Sequence, residues 1–441
     1  MHFPAHLKMA RSALLLLITV LFLIETSPVE AEDAPAPVSM NSTVERQRQL
    51  GFIVVTPQGP HDGGDFGPNT PETRTSGLQE AFDLAKQTTQ DVYIVGGNLT
   101  HGENQGVLYF LDETLRIPWM QDFRIDGGEY VIHYRPPSGD AVVIDSAMSC
   151  NYKFGIIASN SNGSVLRIQP TTEGPDRFKV FCCTMIQVNA LVGGGGAWMG
   201  GEAFNNDLKE DHAWVGTGLW LDGAIGSIND NKININEVVG CRTSMLLTGK
   251  CSNNWIDAPF LHLSETHLQL GTSEDHNGVS RNRIRATMDS QGIKNGTGAR
   301  VFGSSNILEI TVAAMSSRRD VVWEEPAREN LVFAPNLPHG TTNNAAVPTN
   351  RVIAADSAGF RLVTPVVPAS GESIVNRESI PVEVMITAPG EVTKWSLTDT
   401  HDETLPFNVS LHAGQSIRLM PGESLSMEYT SAPEWRWRGG N

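Results

Sequence analysis

Asn231-Lys-Ile-Asn-Ile235, Asn254-Trp-Ile-Asp-Ala258, Asn282-Arg-Ile-Arg-Ala286, Asn306-Ile-Leu-Glu-Ile310 and Asn330-Leu-Val-Phe333 open five apolar, β-rich runs. Their asparagines stand 23, 28, 24 and 24 residues apart. Within each run polar and apolar positions mostly alternate with the period of two that a strand imposes. A second strand completes each repeat: Leu219–Gly223, Met245–Gly249, His267–Gly271, Arg300–Gly303 and Val321–Glu324. Most of these end on a glycine that can turn the chain sharply. A period near 24 built of strands without helices predicts a parallel β-helix, a solenoid in which each coil pairs with the next. An amide side chain both donates and accepts, so an asparagine at the same place in every coil can hydrogen-bond along the solenoid axis. Turn chemistry alone also favours Asn, but it does not explain the matching second strands.

Outward from this repeat the pattern is less regular. Phe52–Val55 and Val92–Val95 read as strands around a helix in which Leu78, Ala81, Phe82 and Ala85 fall on one face, with Ser76 expected as N-cap. Phe123–Ile125, Tyr130–His133, Val142–Ile144, Phe154–Ile157 and Val165–Ile168 are further strand candidates. A glycine-rich stretch from Gly193 to Gly218 contains Trp198, His212 and Trp214 and reads as a long loop of the kind that often carries function. After Pro348 the repeat is expected to stop. Val382–Ile386, Trp395–Leu397, Ile417–Leu419 and Leu425–Tyr429 read as short antiparallel strands, and Trp435-Arg-Trp437 is expected to pin the terminus. The domain reading is therefore residues 1–31 signal peptide, 32–49 linker, 50–345 parallel β-helix and 346–441 C-terminal β domain.

The N-terminus carries Lys8 and Arg11, an apolar run Ala13–Ile24 and the small-residue spacing Val29-Glu-Ala31. These are the features of a cleaved secretory signal, and the run is too short to span a bilayer. A secreted, extracellular or periplasmic location is expected, without a transmembrane segment. The formal charge of -17 on 441 residues argues against a nucleic-acid partner. Five cysteines show neither the even count of a disulfide framework nor paired zinc spacing.

At its N-terminal end the sequence resembles the pectin-lyase-like β-helix superfamily, in which an Asp-Phe-Gly loop precedes a capping helix with Leu/Ile-Gln-x-Ala. The corresponding residues are Asp65-Phe-Gly67 and Leu78-Gln-Glu-Ala81. The Gly-Asp-Gly-x-x-Asp-Asp-Thr stretch of many members is replaced by Pro68–Thr75. The resemblance covers about residues 50 to 335 and implies a right-handed parallel β-helix with an N-terminal capping helix. It also implies a polysaccharide held in a groove along one parallel sheet. Signatures of individual families are missing: Arg283-Ile-Arg285 only approximates the polygalacturonase-like Arg-Ile-Lys, and Trp255-Ile-Asp-Ala258 lacks the histidine of the pectate-lyase-like motif.

Strand alternation selects the candidate site. With Ile233, Ile256, Ile284 and Leu308 inward, the column Asn234, Asp257, Arg285 and Glu309 faces out, as polymer contacts or as a solvent-facing ion ladder. On the second strand Trp220, Asp222, His267, Gln269, Asp320 and Glu324 are expected outward, with the His212 loop leading into them. Three functions follow, in order of preference. In a polysaccharide lyase, His267 or His212 would be the base while Arg285 or Arg300 neutralises a uronate carboxylate. In a glycoside hydrolase, two of Asp222, Asp257, Asp289 and Glu324 would be acid and base. The third is noncatalytic carbohydrate binding. The catalytic candidates are thus His267, His212, Asp222 and Arg285, and the substrate-binding ones Trp220, Gln269, Asp257, Arg300, Glu324 and Trp214. The expected partner is an extracellular polysaccharide, with side-to-side self-association open. No metal ligand set is diagnostic; calcium, the one cofactor left open, would require the loop carboxylates Glu210-Asp211, Glu274-Asp275 or Asp399/Asp402/Glu403.

Overall fold

A computed structural model describes residues 40–96, 107–171, 179–194, 216–290, 296–315, 319–356 and 362–439. The predicted signal segment and the loop holding Trp198, Glu210, Asp211, His212 and Trp214 lie outside these residues.

Strands dominate, and they alternate along the chain between two large parallel sheets. Sheet 1 contains Lys232–Val239, Trp255–His262, Arg283–Ser290, Ile307–Met315, Leu331–Asn336 and Arg351–Asp356 in that spatial order. Sheet 2 contains Thr217–Asn229, Thr243–Ser252, Thr266–Leu270, Thr297–Val301, Arg319–Trp323 and Thr341–Asn343. Each strand pairs in parallel with the next of its own sheet, one coil on, which is a solenoid-like arrangement. The repeat registers directly: Ile233 lies opposite Ile256, Ile256 opposite Ile284, Ile284 opposite Leu308 and Leu308 opposite Val332. All five are completely buried, so the interior is a stack of like side chains between the sheets.

The turn from sheet 2 into sheet 1 shows why asparagine recurs. The residue before each one, namely Asp230, Asn253, Arg281, Ser305 and Glu329, adopts left-handed backbone, which bends the chain in a single step. The asparagine then points inward. Asn231 Nδ2 donates to Asn254 Oδ1 at 2.9 Å, Asn254 to Asn282 at 3.0 Å, Asn282 to Asn306 at 3.0 Å and Asn306 to Asn330 at 3.0 Å. Asn330 continues to Asn350 at 2.8 Å, a fifth rung that adds a sixth asparagine beyond the point where the repeat was expected to end. Each Nδ2 spends its other proton on a backbone carbonyl, such as Ile228 O for Asn254 at 3.0 Å, so these buried amides are satisfied.

Helix α1 spans Met40–Gln49 and α2 spans Leu78–Thr88. In α2, Leu78, Ala81, Phe82 and Ala85 are buried in the solenoid core as expected. The expected cap is displaced by one residue, to Gly77, which is left-handed and makes no side-chain cap bond; Thr75 Oγ1 accepts the Gln79 amide at 3.1 Å, and Ser76 donates its hydroxyl to Phe110 O at 2.8 Å. Gly67 of the Asp-Phe-Gly loop sits where a Cβ would approach Gly59 N to 2.4 Å, so close backbone contact requires glycine there.

The C-terminal strands form a four-stranded and a three-stranded antiparallel sheet around a separate core that includes Trp395, Trp435 and Trp437. Trp435 Nε1 donates to Pro365 O at 2.8 Å, so Trp435 and Trp437 are packing residues that pin the terminus. All five cysteines are unpaired, and Cys150, Cys241 and Cys251 are buried.

Candidate functional site

The outer face of sheet 1 carries a groove of about 610 Å³. Its upper end arises where the sheet divides: Arg124–Gly127 and Tyr130–Tyr134 both pair with Asn151–Ser159. Between those two strands Gly127 and Gly128 leave the surface without side chains. A Cβ on Gly127 would approach Ile94 O to 2.3 Å, so backbone fills the space that bulk would need.

Four amides line this groove, Gln187, Asn189, Asn234 and Asn236. Glu129, Lys153 and Asp257 carry its charges. Register places Lys153, Gln187, Asn234, Asp257, Arg285 and Glu309 in one outward column. Such columns advance about 4.8 Å per coil. Asn236 Nδ2 donates to Asn189 Oδ1 at 3.2 Å, which fixes the orientation of both amides. Each amide offers a donor and an acceptor, the complement of a sugar hydroxyl.

The charges beside the groove are largely paired. Arg285 Nε donates to Asp257 Oδ1 at 2.9 Å and Arg283 Nε to Glu309 Oε1 at 2.8 Å. At the upper end Lys153 Nζ lies 3.6 Å from Asp126 Oδ1. Burial pushes the Asp126 carboxyl up, but hydrogen bonds from Arg124 and the Gly127 amide, with Lys153 beside it, hold it below its usual range. The column expected from strand alternation therefore exists, as a paired ion ladder at Asp257 and below and as neutral amides at Asn234 and Gln187, with Lys153 above them.

On sheet 2, where most of the expected site residues lie, the described polar side chains are paired with one another. Arg167 bridges Asp140, at 3.0 Å, and Asp222, which is only 6 % exposed. The same guanidinium covers the Trp220 ring at 4.1 Å, and Trp220 Nε1 donates to Thr248 Oγ1 at 2.9 Å. Trp220 and Asp222 thus form a packed polar patch. Gln269 turns its amide to Gly271 O at 3.1 Å, and Arg300 pairs with Glu324 at 2.5 Å.

His267 corrects the alternation. It is 0 % exposed, and burial, with His262 nearby, pushes its imidazole down to about 3. A buried, neutral imidazole cannot reach a polymer in solvent. Register aligns Thr243, Thr266, Thr297 and Arg319, so the next residues Ser244, His267, Gly298 and Asp320 share a corner column. Ser244, His267 and Asp320 are all fully buried at the second position of their strands, and alternation holds only from Leu268 on. Asp320 was also expected outward; it accepts the His339 amide at 2.7 Å and faces His339 Nδ1 at 3.2 Å. The small residues Gly218, Ser244 and Gly298 at this position are the sequence signal of a tight corner.

Of the expected site residues, Asp257 lines the groove and Arg285 anchors it. His212 and Trp214 lie outside the described residues. Trp220, Asp222, Gln269, Arg300 and Glu324 stand on the other sheet. The groove amides at Gln187, Asn189 and Asn236 were missed. Their signal is positional: Gln187 and Asn189 follow Thr184 by the same three and five residues by which Asn234 and Asn236 follow Asn231. Among the described residues no cluster of three or more His, Cys, Asp or Glu side chains has metal-binding geometry. The sequence matches no family model, and no curated protein matches it significantly.

Proposed function

We propose that this chain is a secreted polysaccharide-active protein, a right-handed parallel β-helix of the pectin-lyase-like kind that holds an extended glycan on the outer face of sheet 1. The observation that carries the reading is the groove lined by Gln187, Asn189, Asn234 and Asn236. Neutral amides stacked coil over coil supply directional hydrogen bonds along a chain of hydroxyls without the desolvation cost of bare charges. In a protein of net charge -17, with Asp257 and Glu129 at the groove, such a lining favours a neutral glycan over a polyuronate.

This reading reorders the chemistry expected from sequence. Burial speaks against His267 as the base of a β-elimination, while His212, the other base expected, lies outside the described residues. Hydrolysis is the second reading, favoured by two carboxylates, Glu129 and Asp257, lining one groove. The test is incubation with neutral and uronate-containing polysaccharides, following affinity, reducing ends and ultraviolet absorbance together. Binding of a neutral glycan is expected, with new reducing ends if the carboxylates act. Ultraviolet-absorbing products from a uronate polymer would restore the lyase, and no binding to any glycan would overturn the proposal.

A further inference from the structure

Trp255 stands on the same outer face as the groove, two residues before Asp257 on one strand. It is 49 % exposed, although the other tryptophans among the described residues that belong to a core, Trp323, Trp395, Trp435 and Trp437, are all buried. Its ring is held in place from one side: the Arg283 guanidinium lies 4.8 Å from the ring centroid, and Arg283 is in turn fixed by Glu309 at 2.8 Å. Register sets Lys232 and Arg283 as its neighbours on the adjoining coils. The indole, oriented by Arg283 and half open to water beside the groove, presents an apolar face to which a flat ligand can stack.

We infer that Trp255 is a sugar-stacking subsite that flanks the amide-lined groove beside Asp257. The inference rests on the groove reading above and deepens it. Alternate residues of a strand stand about 7 Å apart, so the indole flanks the Asn234–Asp257 row at its Asp257 coil, within reach of the sugar ring that lies there. An aromatic face takes the flat C–H face of a pyranose, while hydroxyls at the ring edge remain for amides and cations. The substrate class is therefore a neutral pyranose polymer whose rings expose an apolar face. A uronate is not required, since Arg283 and Arg285 are already paired to Glu309 and Asp257.

The experiment uses the full chain and the neutral polysaccharide that binds best in the panel, with oligosaccharides of increasing length. Affinity is compared for wild type, Trp255→Ala, Trp255→Phe and Asn234→Ala, after thermal unfolding shows each variant folded. Trp255→Ala is expected to weaken binding about tenfold or more on long oligosaccharides and little on short ones, with Trp255→Phe restoring most of it. Unchanged affinity of Trp255→Ala beside a loss in Asn234→Ala would overturn the subsite and leave the groove standing. Loss in Trp255→Ala beside unchanged Asn234→Ala would overturn the amide-lined groove, and with it the subsite as a part of that groove, leaving only a glycan contact at Trp255. Absence of binding by wild type would overturn both.

Discussion

Asn254 Nδ2 donates to Asn282 Oδ1 at 3.0 Å across 28 residues, the same contact that neighbouring rungs make across 23 or 24. The extra length is taken up between Gly271 and Val279, and the ladder passes it without a break. The rung, and not the length of the coil, is what repeats.

Replacing Asn282 by alanine should therefore cost more than an ordinary buried polar truncation. It removes the acceptor of both Asn254 Nδ2 and the Asn254 amide, two buried donors, at 3.0 and 3.1 Å. At about 1 to 3 kcal/mol for each abandoned group, a loss of roughly 3 kcal/mol is expected in urea unfolding. A loss below about 1 kcal/mol would mean that the ladder is decorative.

His267 should make stability depend on pH. Its folded value lies at about 3 against an ordinary 6.5, because burial disfavours the charged ring. Between those values the unfolded chain binds the proton and the folded chain does not. The contribution is then fully present above about pH 6.5 and is lost as pH falls toward 3. Unfolding free energy measured at pH 7 and pH 4 should drop more for wild type than for His267→Gln. Equal drops would show that His267 is not the titrating group.

The two cores should melt separately. Trp437 belongs to the C-terminal core, distinct from the cluster that runs through the coils. Trp437→Ala should destabilise the C-terminal sheets by about 3 to 5 kcal/mol, as large aromatic truncations do. Calorimetry is expected to show a lowered transition for this unit alone. A single transition shifted as a whole would indicate that Ile380, which joins the solenoid core, and the Val352 amide bonded to Ser379 O at 2.7 Å couple the two tightly.

The two sheets should differ in ligand binding. Asn189→Ala on sheet 1 removes the partner of Asn236 and is expected to weaken glycan affinity several-fold. Trp220→Phe on sheet 2 alters a ring already covered by Arg167 and should leave affinity unchanged. The reverse pattern would move the groove to sheet 2.

Sequence by itself determined the repeat. Asn231, Asn254, Asn282, Asn306 and Asn330 declare coils because a buried amide has strict hydrogen-bonding demands that few other residues meet, and Ile233, Ile256, Ile284 and Leu308 declare the inward face by plain alternation. Tertiary structure alone decided which of the candidate residues share one groove and which are buried. Whether His267 faces water depends on its place at the start of the strand, where His267 and Leu268 are both buried and the period of two does not hold. Which sheet carries the groove depends on Arg167 reaching across 55 residues to Asp222 while Gly127 and Gly128 leave sheet 1 bare. Such contacts join distant coils, so they exist only once the coils are stacked.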